Sequence, residues 1–250
     1  MEKEQVRLSE NKMGVVPVNK LLVSMAWPMI LSMLVQAMYN VVDSIFVSRL
    51  SENALTAVSL AFPIQIILIA MGTGAGVGMN AILSRALGEK DQKTVNRVAE
   101  TGVFLALASF VVFLLVGIFF SRPFFLSQTD DMEIVEYGTQ YISICCIFSF
   151  GIYFELVFER MLQSTGKTIF SMFSQLIGAL TNIVLDPILI FGLLGAPKMG
   201  VAGAAAATVA GQILAAIVAF VLNHKFNRDV RISLRGIFRP KLDFIVNIYK

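Results

Sequence analysis

The sequence predicts an all-α membrane protein built as a six-transmembrane-helix bundle, and three observations carry that prediction. Hydrophobic residues make up 56% of the 250 positions and charged residues only 15%, with a mean hydropathy of +0.76. A soluble domain carries roughly 25% charge. Long apolar runs recur along the whole length, and each is too long and too continuous for the alternating pattern of a membrane β-barrel.

Spanning a bilayer as a helix takes about 20 apolar residues. Six segments meet that length: 21–47, 54–84, 96–120, 134–158, 168–193 and 200–223. Residues 1–20 (MEKEQVRLSENKMGVVPVNK) mix acids and bases and form a cytoplasmic N-terminal segment. The apolar run that follows is too long for a signal-peptide core and lacks a small-residue cleavage pattern, so no processing is expected. Residues 224–250 form a basic cytoplasmic linker. Its stretch HKFNRDVRISLRGIFRPKLD interleaves Phe, Ile and Leu, which suits either a surface helix on anionic lipid or an ordinary linker. An apolar run begins again at FIVNIYK.

Loop charges set the orientation. Of the 20 Lys and Arg, all but Arg49, Arg122 and Lys198 fall on the side that also holds both termini. That bias places both termini in the cytoplasm of a multi-pass protein. Arg160 and Lys167 are assigned to the loop between the fourth and fifth spans. The two cysteines, Cys145 and Cys146, are adjacent within an apolar run and read as buried small hydrophobes. The only histidine, His224, lies in the basic tail. No nucleophile and base pair, metal cluster, cofactor fingerprint or nucleic-acid motif is present. The chain is therefore read as no enzyme.

Asp43 and Asp186 lie deep in predicted spans, where a charge costs a few kcal/mol or more and marks an ion or substrate pathway. Asp43 lies roughly 34 Å beyond Lys20 and Asp186 roughly 28 Å beyond Lys167 at 1.5 Å rise per residue, which puts both in the outer half of the bilayer. Each ends a polar stripe on one helical face: Ser32, Gln36, Asn40 and Asp43, with Tyr39 beside them, in the first span, and Gln175, Asn182 and Asp186 in the fifth. Such stripes face a bundle interior, either as helix-joining contacts or as the wall of a functional cavity. Pro187 removes a hydrogen-bond donor beside Asp186 and predicts a kink or loosening there, with Pro28 a second kink site. In the second span, GTGAGVGMN (72–80) is no phosphate loop, since no strand precedes it and no Lys-Ser/Thr follows. Gly72/Gly76 and Gly74/Gly78 instead permit close helix approach, as does GVAGAAAATVAG (200–211) in the sixth span.

Four stretches carry a resemblance: PMILSMLVQAMYNVVDSIFVSRL (28–50), GTGAGVGMNAILSRALGEKD (72–91), TNIVLDPILIFG (181–192) and GVAGAAAAT (200–208). In this order and spacing they resemble the amino-terminal half of multidrug and toxic compound extrusion (MATE) transporters, closest in character to bacterial members. The resemblance implies one lobe of a twelve-helix MATE-type transporter in a bacterial cytoplasmic membrane. The implied activity is export of organic cations and amphipathic drugs in exchange for H⁺ or Na⁺, with no other cofactor. It also implies a proton- or cation-binding site at Asp43, Asn182, Asp186 and Thr208, where Na⁺ would be held, and a first helix that rearranges around Pro28 and Tyr39. Gln36, Asn40, Gln175 and Pro187 join these as substrate-cavity or conformational residues. The implied partner is a second six-helix lobe, either a carboxy-terminal half or a second copy.

Two other readings stand beside it. A lipid-linked oligosaccharide flippase of the same superfamily needs cationic residues lining its cavity, and the span interiors contain no Lys or Arg on this reading. A non-transporting membrane assembly protein would use the polar stripes only as contacts.

Overall fold

The computed structural model describes residues 16–249, and the charges at Lys3, Arg7, Lys12 and Lys250 lie outside the described residues. Ten α-helices follow in order: α1 Val18–Ser48, α2 Glu52–Gly88, α3 Gln92–Phe119, α4 Ser121–Gln128, α5 Met132–Ile147, α6 Phe150–Ser164, α7 Thr168–Phe191, α8 Val201–Phe226, α9 Leu234–Ile237 and α10 Leu242–Tyr249. No strand occurs among the described residues. Five helices (α1, α2, α3, α7 and α8) are each long and apolar enough to cross a membrane. Counted as one broken span, the pair α5–α6, bent by 46°, brings the number to six and stands fourth in chain order.

Turn chemistry sharpens the ends. The Ser51 side chain accepts from the Ala54 N–H at 3.0 Å and opens α2. Asp91 accepts from the N–H groups of Lys93 and Thr94, both at 3.2 Å, and opens α3. Asp131 caps α5 by accepting from Glu133 N–H at 2.9 Å. Each supplies an acceptor to donors that the first helical turn leaves orphaned. Gly192, with φ of +75°, ends α7 in the left-handed conformation that glycine adopts without strain.

Pro28 and Pro187 do not end their helices. α1 runs unbroken through Pro28, and α7 through Pro187. The interruption falls instead at Phe148–Ser149, between α5 and α6, where no proline signals it. The fourth span consequently runs on to Ser164 rather than stopping at residue 158.

Two packing groups make the lobe. α1 lies chiefly against α7, and α7 against α8, while α2, α3, α5 and α6 form the other group. α8 joins them by packing on α6 and α5. Glycines set the closest contacts. A Cβ on Gly211 would lie 2.7 Å from the Gly178 carbonyl oxygen, and one on Gly203 would lie 2.6 Å from that of Leu189. α7 and α8 therefore touch backbone to backbone. In α2, Gly72 meets Tyr153 and Leu156 of α6, Gly76 meets the Arg160 stem, and Gly78 meets the backbone of Ile248 in α10. Gly74 faces open space.

The segment after α8 is tied to the start of α3. Asp229 carbonyl accepts from Gln92 at 2.8 Å, and Arg231 N–H donates to Asn96 at 3.0 Å. Ser233 N–H donates to Glu100 at 3.1 Å. Lys167 donates to Asn227 and Asp229, each at 3.1 Å, so the loop after α6 and the segment after α8 share one end of the bundle.

Candidate functional site

Asp43 and Asp186 each sit five residues before the end of their helix, Ser48 in α1 and Phe191 in α7. α1 and α7 pack together, so the two carboxylates are carried on neighbouring helices. They are close enough for their charges to repel. Asp186 is fully buried and Asp43 is 8% exposed, with its Oδ1 buried and without a hydrogen-bond partner. An unpartnered buried carboxylate oxygen is costly, and a proton or a cation would relieve it.

Asn182 and Thr208 complete this outer cluster. Asn182 lies one turn before Asp186 on α7, and the glycine contact of α7 with α8 brings Thr208 against it. In the amide orientation that pairs donor with acceptor, Asn182 Nδ2 donates to Asp186 Oδ2 at 3.2 Å. Its Oδ1 accepts from the Thr208 hydroxyl, also at 3.2 Å. Two carboxylates, an amide oxygen and a hydroxyl are hard oxygen donors, which fit Na⁺ as well as a proton. Asn182, Asp186 and Thr208 are thus joined by hydrogen bonds, and Asp43 is near enough to Asp186 to act on it electrostatically.

Inward of this cluster lies a cavity of about 260 Å³. Asn182 and Thr208 form its outer end, while Gln36, Tyr39 and Gln175 line its wall. Asp186 stands one hydrogen bond beyond it, through Asn182, and Asp43 does not border it. Asn40, expected on the same face, does not border this cavity; it is exposed and borders a separate groove with Ser44 and Leu55. The α1 lining of the cavity ends at Tyr39, one residue short of Asn40.

The cavity's inner end lies beyond the residues that the sequence singles out. Glu155, Glu159 and Arg160 all lie on α6 and line it. Glu159 is 3% exposed and accepts from Gln175 Nε2 at 2.6 Å and Ser174 Oγ at 3.3 Å. Arg160 donates to Gln163 Oε1 at 2.7 Å, and Gln163 Nε2 donates to Ser171 Oγ at 2.9 Å. The expectation that Arg160 is a loop charge, and that the span interiors hold no cation, is therefore corrected: the fourth span continues past residue 158 and carries Arg160 with it. The signal lay in FELVFERMLQ, where two glutamates one turn apart interrupt an apolar run.

Buried contacts hold these walls in place. Tyr153 donates from its hydroxyl to the Leu68 carbonyl at 3.2 Å, joining α6 to α2. Gln65 donates to the Tyr141 hydroxyl at 2.9 Å, joining α2 to α5. Asn223 donates to the Phe158 carbonyl at 2.8 Å, joining α8 to α6.

Comparison with known proteins adds a separate line of observation. The profile of the MatE family matches residues 28–188. The multidrug export protein MepA of Staphylococcus aureus (strain MRSA252) is 26% identical over 235 residues, which cover 94% of this chain and 51% of MepA. The protein of the same name from Staphylococcus saprophyticus is 26% identical over 224 residues, covering 89% of this chain and 49% of its own. Among solved structures, the outward-facing conformation of a multidrug resistance MATE family transporter of the MOP superfamily superposes with a TM-score of 0.84 at 32% identity. That superposition covers 92% of this chain and 50% of that one. A MOP superfamily transporter from Pyrococcus furiosus, described by a binding pocket of reverse polarity that suggests a different function, superposes with a TM-score of 0.75 at 30% identity. It too covers 92% of this chain and 50% of its own. The chain spans about half the length of the curated relatives it matches.

Proposed function

The chain belongs to the MatE family of transporters, and from that premise we propose that it is the amino-terminal lobe of a secondary multidrug exporter. It expels organic cations and amphipathic drugs in exchange for H⁺ or Na⁺, by alternating access within a bacterial cytoplasmic membrane. The observation that supports this reading is that Asp43 and Asp186, on two packed helices, lie within electrostatic reach of one another, with Asn182 and Thr208 hydrogen-bonded beside Asp186.

The physics is a charge-dependent fit between helices. With both carboxylates ionised, α1 and α7 carry like charges into the same low-dielectric level, and repulsion favours their separation. A proton or Na⁺ cancels that repulsion and favours the packed arrangement. The ion thus has different affinities for two arrangements of the lobe, which any coupling requires. Pro28 and Pro187 each leave a carbonyl one turn earlier without its usual donor, so α1 and α7 bend at lower cost than an unbroken ladder.

Cytoplasmic termini follow from the loop charges, which remain asymmetric after Arg160 is moved into its span. A second six-helix lobe, from the same chain or a second copy, would supply the other wall of a drug cleft. The flippase reading gains Arg160 as a cavity cation, but Glu155 and Glu159 outnumber it, and a net acidic cavity disfavours a pyrophosphate.

The test is uptake of a fluorescent organic cation into inside-out vesicles after a proton or sodium gradient is imposed. Gradient-driven uptake that disappears in Asp186→Asn supports the reading. Uptake unchanged in Asp186→Asn, with the variant present at equal level in the membrane, refutes the role given to the outer cluster.

A further inference from the structure

The inner end of the cavity has a charge count that the outer cluster does not explain. Glu155 and Glu159 stand one turn apart on α6 and repel one another. Among the described residues that line the cavity, Arg160 is the one cation, and it lies close enough to attract Glu159. Glu159 is further satisfied by Gln175 and Ser174. Glu155 has no hydrogen bond among the described residues, and Arg160 Nε is buried without a partner. With both carboxylates ionised, two negative charges and one positive leave the inner end with a single uncancelled negative charge.

The surroundings say what would cancel it. Met29, Met33, Ile69 and Leu156 share the wall with Glu155. A bare Na⁺ needs several oxygens in a tight shell, which methionine and isoleucine side chains do not provide. A proton alone needs no cavity. A volume of about 260 Å³ whose lining includes thioethers and aliphatic chains suits an organic ion with apolar flanks.

We propose that Glu155 is the counter-charge for a small organic monocation bound in this cavity, at a carboxylate separate from Asp43 and Asp186. This deepens the export reading above and rests on it: the coupling ion and the cargo are held by different carboxylates. Glu159 is held by Gln175, seven residues or roughly 10 Å along α7 from Asn182, and Glu155 lies one turn of α6 from Glu159 on the Tyr39 side of the cavity. Glu159 and Arg160 act as positioning residues, holding the inner wall through Gln175 and Gln163.

The probe is benzyltrimethylammonium, whose charge does not titrate, with neopentylbenzene as its uncharged isostere. Binding of each to the purified full-length protein in nanodiscs is measured by calorimetry. Wild type is expected to prefer the cation. Glu155→Gln is expected to weaken the cation at least about tenfold and leave the isostere unchanged, the loss typical of one charge-assisted contact. Glu155→Asp keeps the charge and retains most of the affinity. Asp186→Asn retains cation binding while losing gradient-driven uptake. If wild type binds the cation and both Glu155 variants match it, the assignment of Glu155 is overturned and the export reading stands. If wild type binds neither compound, both fall.

Discussion

The two acidic clusters of this lobe are built on opposite plans. At the outer level the carboxylates come from different helices, Asp43 from α1 and Asp186 from α7. At the inner level Glu155 and Glu159 come from one helix, α6. A pair on one helix has a separation fixed by the backbone, so its charge state cannot move the helices apart along their seam. A pair shared between helices makes charge and helix position depend on each other. The outer plan suits a switch, and the inner plan suits a fixed charge that meets a ligand.

The largest expected effect tests that contrast directly. Asp43→Asn and Asp186→Asn are each expected to abolish gradient-driven uptake, and the double variant to be no worse than either single one. Groups that act as one unit give such non-additive losses. Glu155→Gln combined with Asp186→Asn differs: cation affinity in the double variant falls by the Glu155 effect alone. A cation-affinity loss of similar size in Asp186→Asn would erase the distinction between the clusters.

The contrast also explains what was legible in the sequence. Asp43 and Asp186 stand in the middle of long apolar runs, where hydropathy leaves them conspicuous, and their spacing from Lys20 and Lys167 predicts similar depths. The amide at Asn182 followed from helical spacing. Glu155 and Glu159 were hidden because Glu159-Arg160 reads as the polar end of a span. Only packing of α6 on α2, α7 and α8 shows that the helix stays inside the bundle to Ser164. The bend at Phe148–Ser149 was invisible for a related reason. It carries no proline, whereas Pro28 and Pro187, which do carry the local signal, sit in helices that continue through them. Thr208 needed the backbone contact at Gly178 and Gly211, a tertiary feature, to reach Asn182.

That glycine contact supplies the next effect in size. Gly211→Ala would set a methyl group 2.7 Å from the Gly178 carbonyl oxygen, so α7 and α8 must separate. Overpacking of this kind costs about 1–3 kcal/mol. The separation also withdraws Thr208 from Asn182. Lower thermal stability in detergent is therefore expected together with weakened ion dependence of transport. Gly74→Ala, which meets nothing within 4 Å, is expected to be neutral or slightly stabilising, since alanine favours helix over glycine by about 1 kcal/mol. Equal losses in both variants would mean that general helix packing, rather than the α7–α8 seam, controls the outer cluster.

The smallest effect comes from a carboxylate outside the spans, and it sharpens what burial does to the others. Asp91 is exposed in the turn between α2 and α3. The Thr94 hydroxyl donates to it, and the Thr94 and Lys93 N–H groups add two more bonds, holding its carboxyl below the usual carboxylate range. A depressed folded-state pKa contributes stability that is fully present above the unfolded value of about 3.9 and lost as pH falls through the lower folded value. Thermal melts from pH 7 down to pH 3 then separate charge from capping. Asp91→Ala is expected to be less stable than wild type at neutral pH, and the gap is expected to narrow on acidification. Asp91→Asn keeps a capping oxygen without a titrating group, so its gap from wild type is the smaller at neutral pH. A gap between wild type and Asp91→Ala that stays constant to pH 3 would show that the turn uses Asp91 only as a neutral cap. In this turn donors stabilise the charge and water surrounds it. At Asp43 a buried oxygen has no donor at all, and that difference in environment, rather than the residue type, is what makes one aspartate a cap and the other a candidate switch.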